Sequence, residues 1–411
     1  MDILYNIIIY IAGFHLKLIA LFNTKIKLGV DGRSKTFKTL QETIKENDQV
    51  FWFHCASLGE YEQGLPVFKV LRERFKTHKI VLSFFSPSGY EIRKNTNVAN
   101  VVVYLPLDTK RNAIKFLDIV HPKFTVFVKY DIWPNYLEEL RKQKLKAILI
   151  SAAFRSSQSY FKFYGAIFRK ALTAFEHIFV QNELSKTLLN SIHINNVTVS
   201  GDTRYDRVSQ QLEQNNTLDF IAEFKQDKIC LVIGSSWPED EELLIPYINE
   251  SISKDIKFII APHNIKTSQI ENLKRSLQPK TILFSEKENQ KLSDYSVFIV
   301  DTIGLLSKIY SYADLAYVGG GMGLKGLHNI LEPAVFGVPV VIGKNYHKFP
   351  EAIQMIDNSG VISISNFKEL KQILDTLIED KIERLRLGRL NKNFVEQNKG
   401  AIAIITEHIK I

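Results

Sequence analysis

Cysteine is scarce in this 411-residue chain, in which Cys55 and Cys230 are the only two examples and each lies in or beside an apolar run. Two cysteines this far apart exclude a disulfide framework and a cysteine zinc site, and they indicate a reducing compartment. No Asp-x-Asp sequence follows a predicted strand, and no internal repeat is evident. With 45% hydrophobic and 24% charged residues, the chain has the composition of a folded protein rather than a disordered or fibrous one.

Basic residues exceed acidic ones, and the net charge is +9. This excess is compatible with nucleic acid, an anionic membrane or an anionic substrate. A nucleic-acid groove is disfavoured, because Lys and Arg are scattered without interleaved aromatic clusters. Residues 3–22 are almost continuously apolar, broken by His15 and Lys17, and a basic flank follows. We expect residues 1–22 to be a membrane anchor that spans the bilayer or lies in its interface, with the basic flank on the cytoplasmic side; a hydrophobic helix packed on the domain is the alternative.

The rest of the chain alternates short β-branched and aromatic runs with longer amphipathic stretches, which predicts parallel βαβ units. The predicted strands of the first half are 49–54, 79–84, 101–104, 124–128, 146–150, 177–180 and 196–200. Those of the second half are 228–233, 256–261, 280–284, 296–300, 313–318, 338–343 and 360–364. We therefore predict an α/β protein with two doubly wound, Rossmann-like domains facing a cleft, residues 23–206 and 228–380. A polar linker, 207–227, separates them, and terminal helices, 381–411, can cross back onto the first.

In the first half, polar residues follow strands where a parallel sheet places its ligand crevice. Glu60 follows the run Phe51-Trp52-Phe53-His54-Cys55-Ala56-Ser57 at the start of a helix, and it is a candidate general base or simply a complement to the helix dipole. Asp131 follows a strand before Trp133-Pro134, and it suits transition-state electrostatics or a structural cap. Arg204 can reach a phosphate or carboxylate, or pair with Asp202 or Asp206.

The remaining polar segments after strands give weaker evidence for a ligand site or lie in the second half of the chain. Ser86-Pro87-Ser88-Gly89 reads mainly as a helix cap. Pro262-His263 can contact a base or ribose, and the turn at Thr302, as a helix N-cap, can offer the amides of residues 303–305 to a phosphate. The acidic run 239–242 reads mainly as a dipole complement. Residues 319–323 form a glycine-rich loop, and we expect a helix after it to carry His328, Asn329 and Glu332 in its first turn.

Taken in order, these segments resemble the Kdo transferases of lipopolysaccharide assembly, which attach Kdo, an acidic eight-carbon ketosugar, to the lipid A precursor. The resemblance runs from the N-terminal helix to about residue 355. It is carried by His54-Cys55-Ala56-Ser57-Leu58-Gly59-Glu60, Ser86-Pro87-Ser88-Gly89-Tyr90-Glu91, Asp131-Ile132-Trp133-Pro134-Asn135, Asp301-Thr302-Ile303-Gly304 and His328-Asn329-Ile330-Leu331-Glu332-Pro333.

The resemblance implies a GT-B fold, with an acceptor-binding first domain, a CMP-sugar-binding second domain and CMP-Kdo as donor substrate. It also implies an inverting transfer to the lipid A precursor (lipid IVA) without a bound metal or cofactor, at the cytoplasmic face of the inner membrane. Glu60 matches the family's base, and Asp131 falls near its second electrostatic residue. Arg204 would stabilise the leaving phosphate. Donor contacts fall on Pro262, His263, Ile303, Gly304, Leu305, Asn329, Ile330, Leu331 and Glu332.

The chain also departs from the family at Lys129, Ala153 and Leu305, where an acidic residue, an Arg and a Glu are usual, and Arg155 is a candidate substitute for the missing arginine. Two other functions stay open at this stage. One is a GT-B glycosyltransferase or epimerase that uses a UDP-sugar. The other is a basic membrane-surface protein without catalysis.

Overall fold

The structure is a computed structural model that describes residues 2–251 and 255–409, and the chain divides into two compact units. Unit 1 comprises residues 1–206 together with 399–411, and unit 2 comprises residues 207–398. Each unit contains one seven-stranded parallel sheet covered by helices. Every strand predicted from the sequence is present in one of these two sheets.

Unit 1 contains the seven strands of the first half. They are β1 (Val50–Cys55), β2 (Lys79–Phe84), β3 (Val101–Tyr104), β4 (Phe124–Val128), β5 (Lys146–Ala152), β6 (His177–Val180) and β7 (Val197–Val199). The helices are α1 (Asp2–Ile19), α2 (Thr24–Thr43), α3 (Leu58–Arg74), α4 (Pro87–Arg93), α5 (Lys110–Val120), α6 (Pro134–Lys142), α7 (Ala166–Leu172), α8 (Glu183–Asn190) and α9 (Thr203–Ser209), which runs across the division between the units.

Unit 2 begins with α10 (Asp219–Lys225) and contains the second series of strands. These are β8 (Ile229–Ser236), β9 (Ile256–Pro262), β10 (Thr281–Leu283), β11 (Val297–Ile299), β12 (Leu315–Val318), β13 (Val340–Gly343) and β14 (Val361–Ile364). Its other helices are α11 (Pro238–Glu250), α12 (Thr267–Ser276), α13 (Leu306–Ile309), α14 (Leu331–Ala334), α15 (Pro350–Asn358), α16 (Phe367–Glu379) and α17 (Lys381–Asn398). The last helix of the chain, α18 (Ala401–His408), packs on α3 in unit 1.

Most residues of the strands are apolar because helices cover both faces of each sheet. All six residues of β1 are buried, with Trp52 on one face and Phe51 and Phe53 on the other. Trp52 packs against Phe127 of β4, with ring centroids 5.1 Å apart. These near-continuous apolar runs are what made the strands recognisable in the sequence.

The strand orders place a topological switch point in each unit. The order is β3-β2-β1-β4-β5-β6-β7 in unit 1 and β10-β11-β9-β8-β12-β13-β14 in unit 2. The chain therefore changes winding direction between β1 and β4 and again between β8 and β12. In doubly wound sheets a crevice opens at the carboxyl ends of such strand pairs. A cleft between the two units stays a prediction.

One side of helix α1 packs against the rest of unit 1. The Tyr5 hydroxyl donates a hydrogen bond to Asp108, and a Cβ placed on Gly13 would lie 2.8 Å from Leu107, so the helix packs closely there. Large apolar side chains on its other side are exposed, among them Ile3, Leu4, Ile7, Ile8, Ile11, Phe14 and Leu18. Among the residues that the structure describes, no helix combines the length and apolarity needed to cross a membrane.

Candidate active site

Glu60 lies at the switch point of unit 1, in the first turn of α3, directly after β1. Ser57 begins the helix in extended conformation, and its hydroxyl donates a hydrogen bond to Glu60 Oε2. The Lys129 ammonium, at the end of the neighbouring strand β4, lies 3.8 Å from Glu60 Oε1. The Glu60 side chain is only 13% exposed. The crevice therefore holds one oriented carboxylate with a cation beside it.

Lys129 adopts a left-handed backbone conformation, with φ of 71°. For a residue with a Cβ this costs on the order of 1 kcal/mol, and such strain tends to persist where a side chain has a particular task. The Lys129 amide still donates to the Ile150 carbonyl of β5, at 2.8 Å. The strained residue is thus held by the sheet while its side chain turns towards Glu60.

Asp131 belongs to a hydrogen-bonded chain that begins inside the core. Trp52 Nε1 donates to Ser83 Oγ at 2.8 Å, and Ser83 Oγ lies 2.8 Å from His54 Nδ1. His54 Nε2 in turn lies 2.5 Å from Asp131 Oδ2. Trp133 Nε1 also donates to His54 Nε2, at 3.0 Å, so this nitrogen lies between the Asp131 carboxylate and an indole N–H. A fully buried imidazole therefore orients Asp131.

Asp131 is not the cap of α6, which was one of its two predicted roles. The buried carboxylate of Asp108 accepts from the amides of Asn135 and Tyr136, each at 3.1 Å, and from the Tyr5 hydroxyl at 2.7 Å. Burial raises the pKa of Asp108 to about 6. Asp108 was not predicted as a cap, because a lone Asp before Thr109 resembles an ordinary turn residue.

Two further predicted positions of unit 1 have structural partners. Ser86 begins α4, and its Oγ accepts from the Ser88 amide at 3.2 Å, which confirms the predicted helix cap. The Arg204 guanidinium donates to Asp202 Oδ2 from Nε at 2.9 Å and from Nη2 at 2.7 Å. This is the ion pair with Asp202 that was the alternative for Arg204, and its catalytic role stays a prediction.

In unit 2, His263 follows β9 and stacks on Trp237, with ring centroids 4.2 Å apart and planes inclined by 21°. His328 lies 4.6 Å from His263 between ring centroids, and its Nε2 accepts from Trp237 Nε1 at 3.1 Å. Burial, together with His263, lowers the pKa of His328 to about 4. The pair is neutral at physiological pH, and His328 carries its proton on Nδ1. Trp237 was not among the predicted donor contacts, since nothing in sequence connects it to residues so distant.

The other predicted donor contacts lie in turns rather than in long helices. Thr302 is not a helix N-cap, because α13 begins only at Leu306 and has four residues. In the described part of the chain, the amides of Ile303, Gly304 and Leu305 have no hydrogen-bond partner, and Gly304 has φ of 91°. The predicted exposure of amides is therefore present, although without the predicted helix.

The helix expected to carry His328 and Asn329 is also shorter than predicted. Helix α14 begins at Leu331, so both residues precede it. Asn329 Oδ1 accepts from the Leu331 amide at 3.2 Å, and Asn329 Nδ2 donates to Glu332 Oε1 at 3.2 Å. The segment is a side-chain-stabilised turn because Asn can replace a backbone partner in this way.

The described residues contain no group of three or more His, Cys, Asp or Glu side chains placed to hold a metal ion. The acidic run at the start of α11 illustrates this. Its members point in different directions: Asp240 is fully buried, whereas Glu242 is exposed.

Comparison with known proteins links these features to one family. Residues 31–207 match the family model described as 3-deoxy-D-manno-octulosonic-acid transferase (kdotransferase). The 3-deoxy-D-manno-octulosonic acid transferase of Haemophilus influenzae is 24% identical over 380 residues, covering 88% of this chain and 87% of the relative. The enzyme of that name from Aquifex aeolicus is 26% identical over 349 residues, covering 84% and 90%.

Among solved structures, the UDP-GlcNAc 2-epimerase of Neisseria meningitidis, bound to UDP-GlcNAc, aligns with a TM-score of 0.63 and 16% identity. The alignment covers 87% of this chain and 98% of the epimerase. At this identity the likeness concerns the fold alone. Together with the two parallel sheets, it confirms the predicted GT-B-type α/β fold.

Proposed function

The chain belongs to the 3-deoxy-D-manno-octulosonic-acid (Kdo) transferase family, and from this premise we propose that it transfers Kdo from CMP-Kdo to the lipid A precursor, lipid IVA. The reaction is an inverting glycosyl transfer in lipopolysaccharide assembly. CMP-Kdo is a substrate, and the proposed chemistry requires neither a cofactor nor a metal. The observation that carries the mechanism is the oriented carboxylate of Glu60 at the switch point of unit 1.

Glu60 acts as the general base. Its Oε2 accepts the Ser57 hydroxyl proton, so Oε1 is the oxygen available to the acceptor. Lys129 lies 3.8 Å from Oε1, which is beyond hydrogen-bond distance, and the lone pairs there stay available. As the acceptor hydroxyl attacks the anomeric carbon of Kdo, Oε1 takes its proton and the bond to the CMP phosphate breaks with inversion.

The remaining predicted residues have supporting roles in this proposal. Asp131, oriented by His54, contributes electrostatic stabilisation near the reacting sugar. The amides of Ile303, Gly304 and Leu305 receive the CMP phosphate, and Arg204 stabilises the charge that develops as CMP leaves. Pro262 and His263, with the turn 329–332, hold the rest of the donor.

The proposed acceptor is a glycolipid, and α1 offers a surface suited to the membrane that contains it. The exposed apolar side of this helix and the basic residues of α2, including Lys25 and Lys27, suit an anionic lipid interface. We propose that the protein works at the cytoplasmic face of the inner membrane with α1 in that interface.

Mass spectrometry of lipid IVA after incubation with the purified protein and CMP-Kdo tests the activity. We expect one or more added Kdo units, and a parallel incubation with a UDP-sugar should give no product. An unmodified lipid with folded wild-type protein, or turnover of the UDP-sugar instead, would overturn the proposal.

The Glu60→Gln variant tests the mechanism, because the amide keeps the shape of the side chain but cannot accept the proton. We expect kcat to fall by about 10² to 10⁴, the usual contribution of a general base. Glu73→Gln is the matched control, since Glu73 is an exposed carboxylate on the same helix. A kcat for Glu60→Gln within about threefold of wild type would exclude Glu60 as the base.

A further inference from the structure

We propose that Asp240 is a positioning residue of the donor site, whose buried carboxylate fixes the glycine loop (residues 319–323) in the crevice of unit 2. The inference rests on the proposed function. Asp240 stands in the first turn of α11, after β8, and the glycine loop follows β12. Because β8 and β12 flank the switch point, the residue connects the two sides of that crevice.

All four nearest donors to the Asp240 carboxylate come from these two sides. Oδ2 accepts from the Trp237 amide at 2.9 Å and from the Gly320 amide at 2.7 Å. Oδ1 accepts from the Tyr317 hydroxyl at 2.9 Å and from the Met322 amide at 3.3 Å. The carboxylate is 0% exposed, so these bonds replace its hydration.

The loop is built to lie against its neighbours. A Cβ on Gly319 would stand 2.4 Å from the Ser235 carbonyl oxygen, and one on Gly321 would stand 2.9 Å from the Gly343 amide nitrogen. The backbone amide of Asn345 donates a hydrogen bond to the Gly321 carbonyl oxygen at 2.8 Å. Only glycine permits backbones to approach this closely, so the glycines serve packing rather than flexibility.

Further hydrogen bonds connect the Asp240 carboxylate and the glycine loop with His328, just before the turn 329–332, which contains predicted donor contacts. Gly319 accepts from the His328 amide at 3.1 Å, and His328 Nε2 accepts from the Trp237 indole. The Trp237 amide returns to Asp240, which completes a closed hydrogen-bonded ring. His328 directly precedes Asn329, so a displacement of the loop would displace the donor turn.

A simpler role for Asp240 is to cap α11, as acidic residues in a first helical turn commonly do. Capping uses only the bond from the Trp237 amide. It leaves the bonds to Tyr317, Gly320 and Met322 without a purpose. The two roles differ in what they predict, because loss of a cap weakens α11, whereas loss of positioning weakens donor binding.

The Asp240→Asn variant separates these roles. An asparagine keeps one acceptor oxygen, so its NH₂ group must face one of the two pairs of donors. We expect CMP to bind about tenfold more weakly by calorimetry and KM for CMP-Kdo to rise by a similar factor, with kcat within about threefold of wild type. Amide hydrogen exchange across residues 319–328, measured without nucleotide, should accelerate at least about tenfold.

Glu242→Gln is the matched control, because it removes an exposed carboxylate from the same turn and should change none of these values. Unchanged CMP affinity and unchanged loop exchange in Asp240→Asn would overturn the inference. Faster amide hydrogen exchange spread evenly over unit 2 would also overturn it, since a purely structural role predicts that result. The exchange measurement contains no substrate, so it decides the loop's anchoring even if CMP-Kdo is not the donor.

Trp237→Phe decides the matter if Asp240→Asn does not fold. It keeps the backbone bond that caps α11 and an aromatic ring beside His263, and it removes the indole donor to His328. We expect CMP to bind about three- to tenfold more weakly and residues 328–332 to exchange faster, while the Gly320 amide stays protected. Wild-type CMP affinity in this variant would refute the transmission from the ring to the donor turn.

Discussion

Asp108 should make unit 1 less stable as pH rises, in contrast to most native carboxylates. Its pKa is raised from 3.8 to about 6, chiefly by burial. A raised pKa means that the folded state binds the proton more tightly than the unfolded state. The stability from this group is therefore fully present below the unfolded pKa of 3.8 and is lost as pH rises through about 6.

The magnitude follows from the shift. A difference of about 2 pKa units corresponds to about 3 kcal/mol in total, of which about 2 kcal/mol falls between about pH 4.5 and pH 7. The group is fully buried, so solvent screening removes little of this. Asp108→Asn abolishes the titration while leaving an acceptor for part of the α6 cap. When the pH is lowered across that range, the stability of unit 1 in the wild type should therefore rise by about 2 kcal/mol relative to Asp108→Asn.

Native-state hydrogen exchange of the Asn135 and Tyr136 amides is the appropriate assay, because both donate to Asp108 and report local opening. A global transition is less suitable for a chain of two units. Asp118→Asn, an exposed carboxylate on α5, serves as control and should show no such pH dependence. A difference between wild type and Asp108→Asn that is constant with pH, or that grows as pH rises, would refute the reasoning.

Two other variants test the roles assigned to His54 and to α1. His54→Ala leaves Asp131 and Ser83 without their shared partner. We expect kcat/KM in transfer kinetics to fall about 10²-fold, and the free energy of unfolding, measured with denaturant, to fall by about 1–3 kcal/mol. Full activity would exclude the orienting role. Phe14→Ser on the exposed side of α1 should weaken binding to anionic vesicles about tenfold in flotation assays, because burying such a side chain contributes about 1.5–3 kcal/mol. Phe163→Ser, at a 94% exposed residue outside α1, should not, and equal losses from both would argue against α1 as the membrane-binding surface.

The strands could be predicted because their signal is local. Parallel strands covered on both faces are continuous apolar runs, so β1 to β14 were located within a few residues of their observed bounds. The helix start was predicted well where a capping residue precedes the helix, as at Ser86. Helix starts were predicted poorly at α13 and α14, where short turns follow their strands and long-range contacts decide the conformation.

The candidate site was predicted in part for the same reason. Glu60, Asp131 and His263 were predicted as site residues because each follows a strand, and strand ends are where parallel sheets place ligands; the structure places all three after strand ends. The buried polar partners His54, Ser83 and Asp108 were not given roles. Their significance depends on which strands become neighbours, and no local pattern reports that.

The sequence by itself determined the class of fold, the strands and the identity of the residues at their carboxyl ends, because hydrophobic periodicity and turn chemistry act over a few residues. The tertiary structure alone decided which of those residues meet. It brought Lys129 to Glu60, which is 69 residues away in the sequence, and His54 to Asp131, which is 77 residues away. It also brought Asp240 to Gly320 of the glycine loop, which is 80 residues away. Such pairs form only when strand order sets two segments side by side, and burial then makes their hydrogen bonds obligatory.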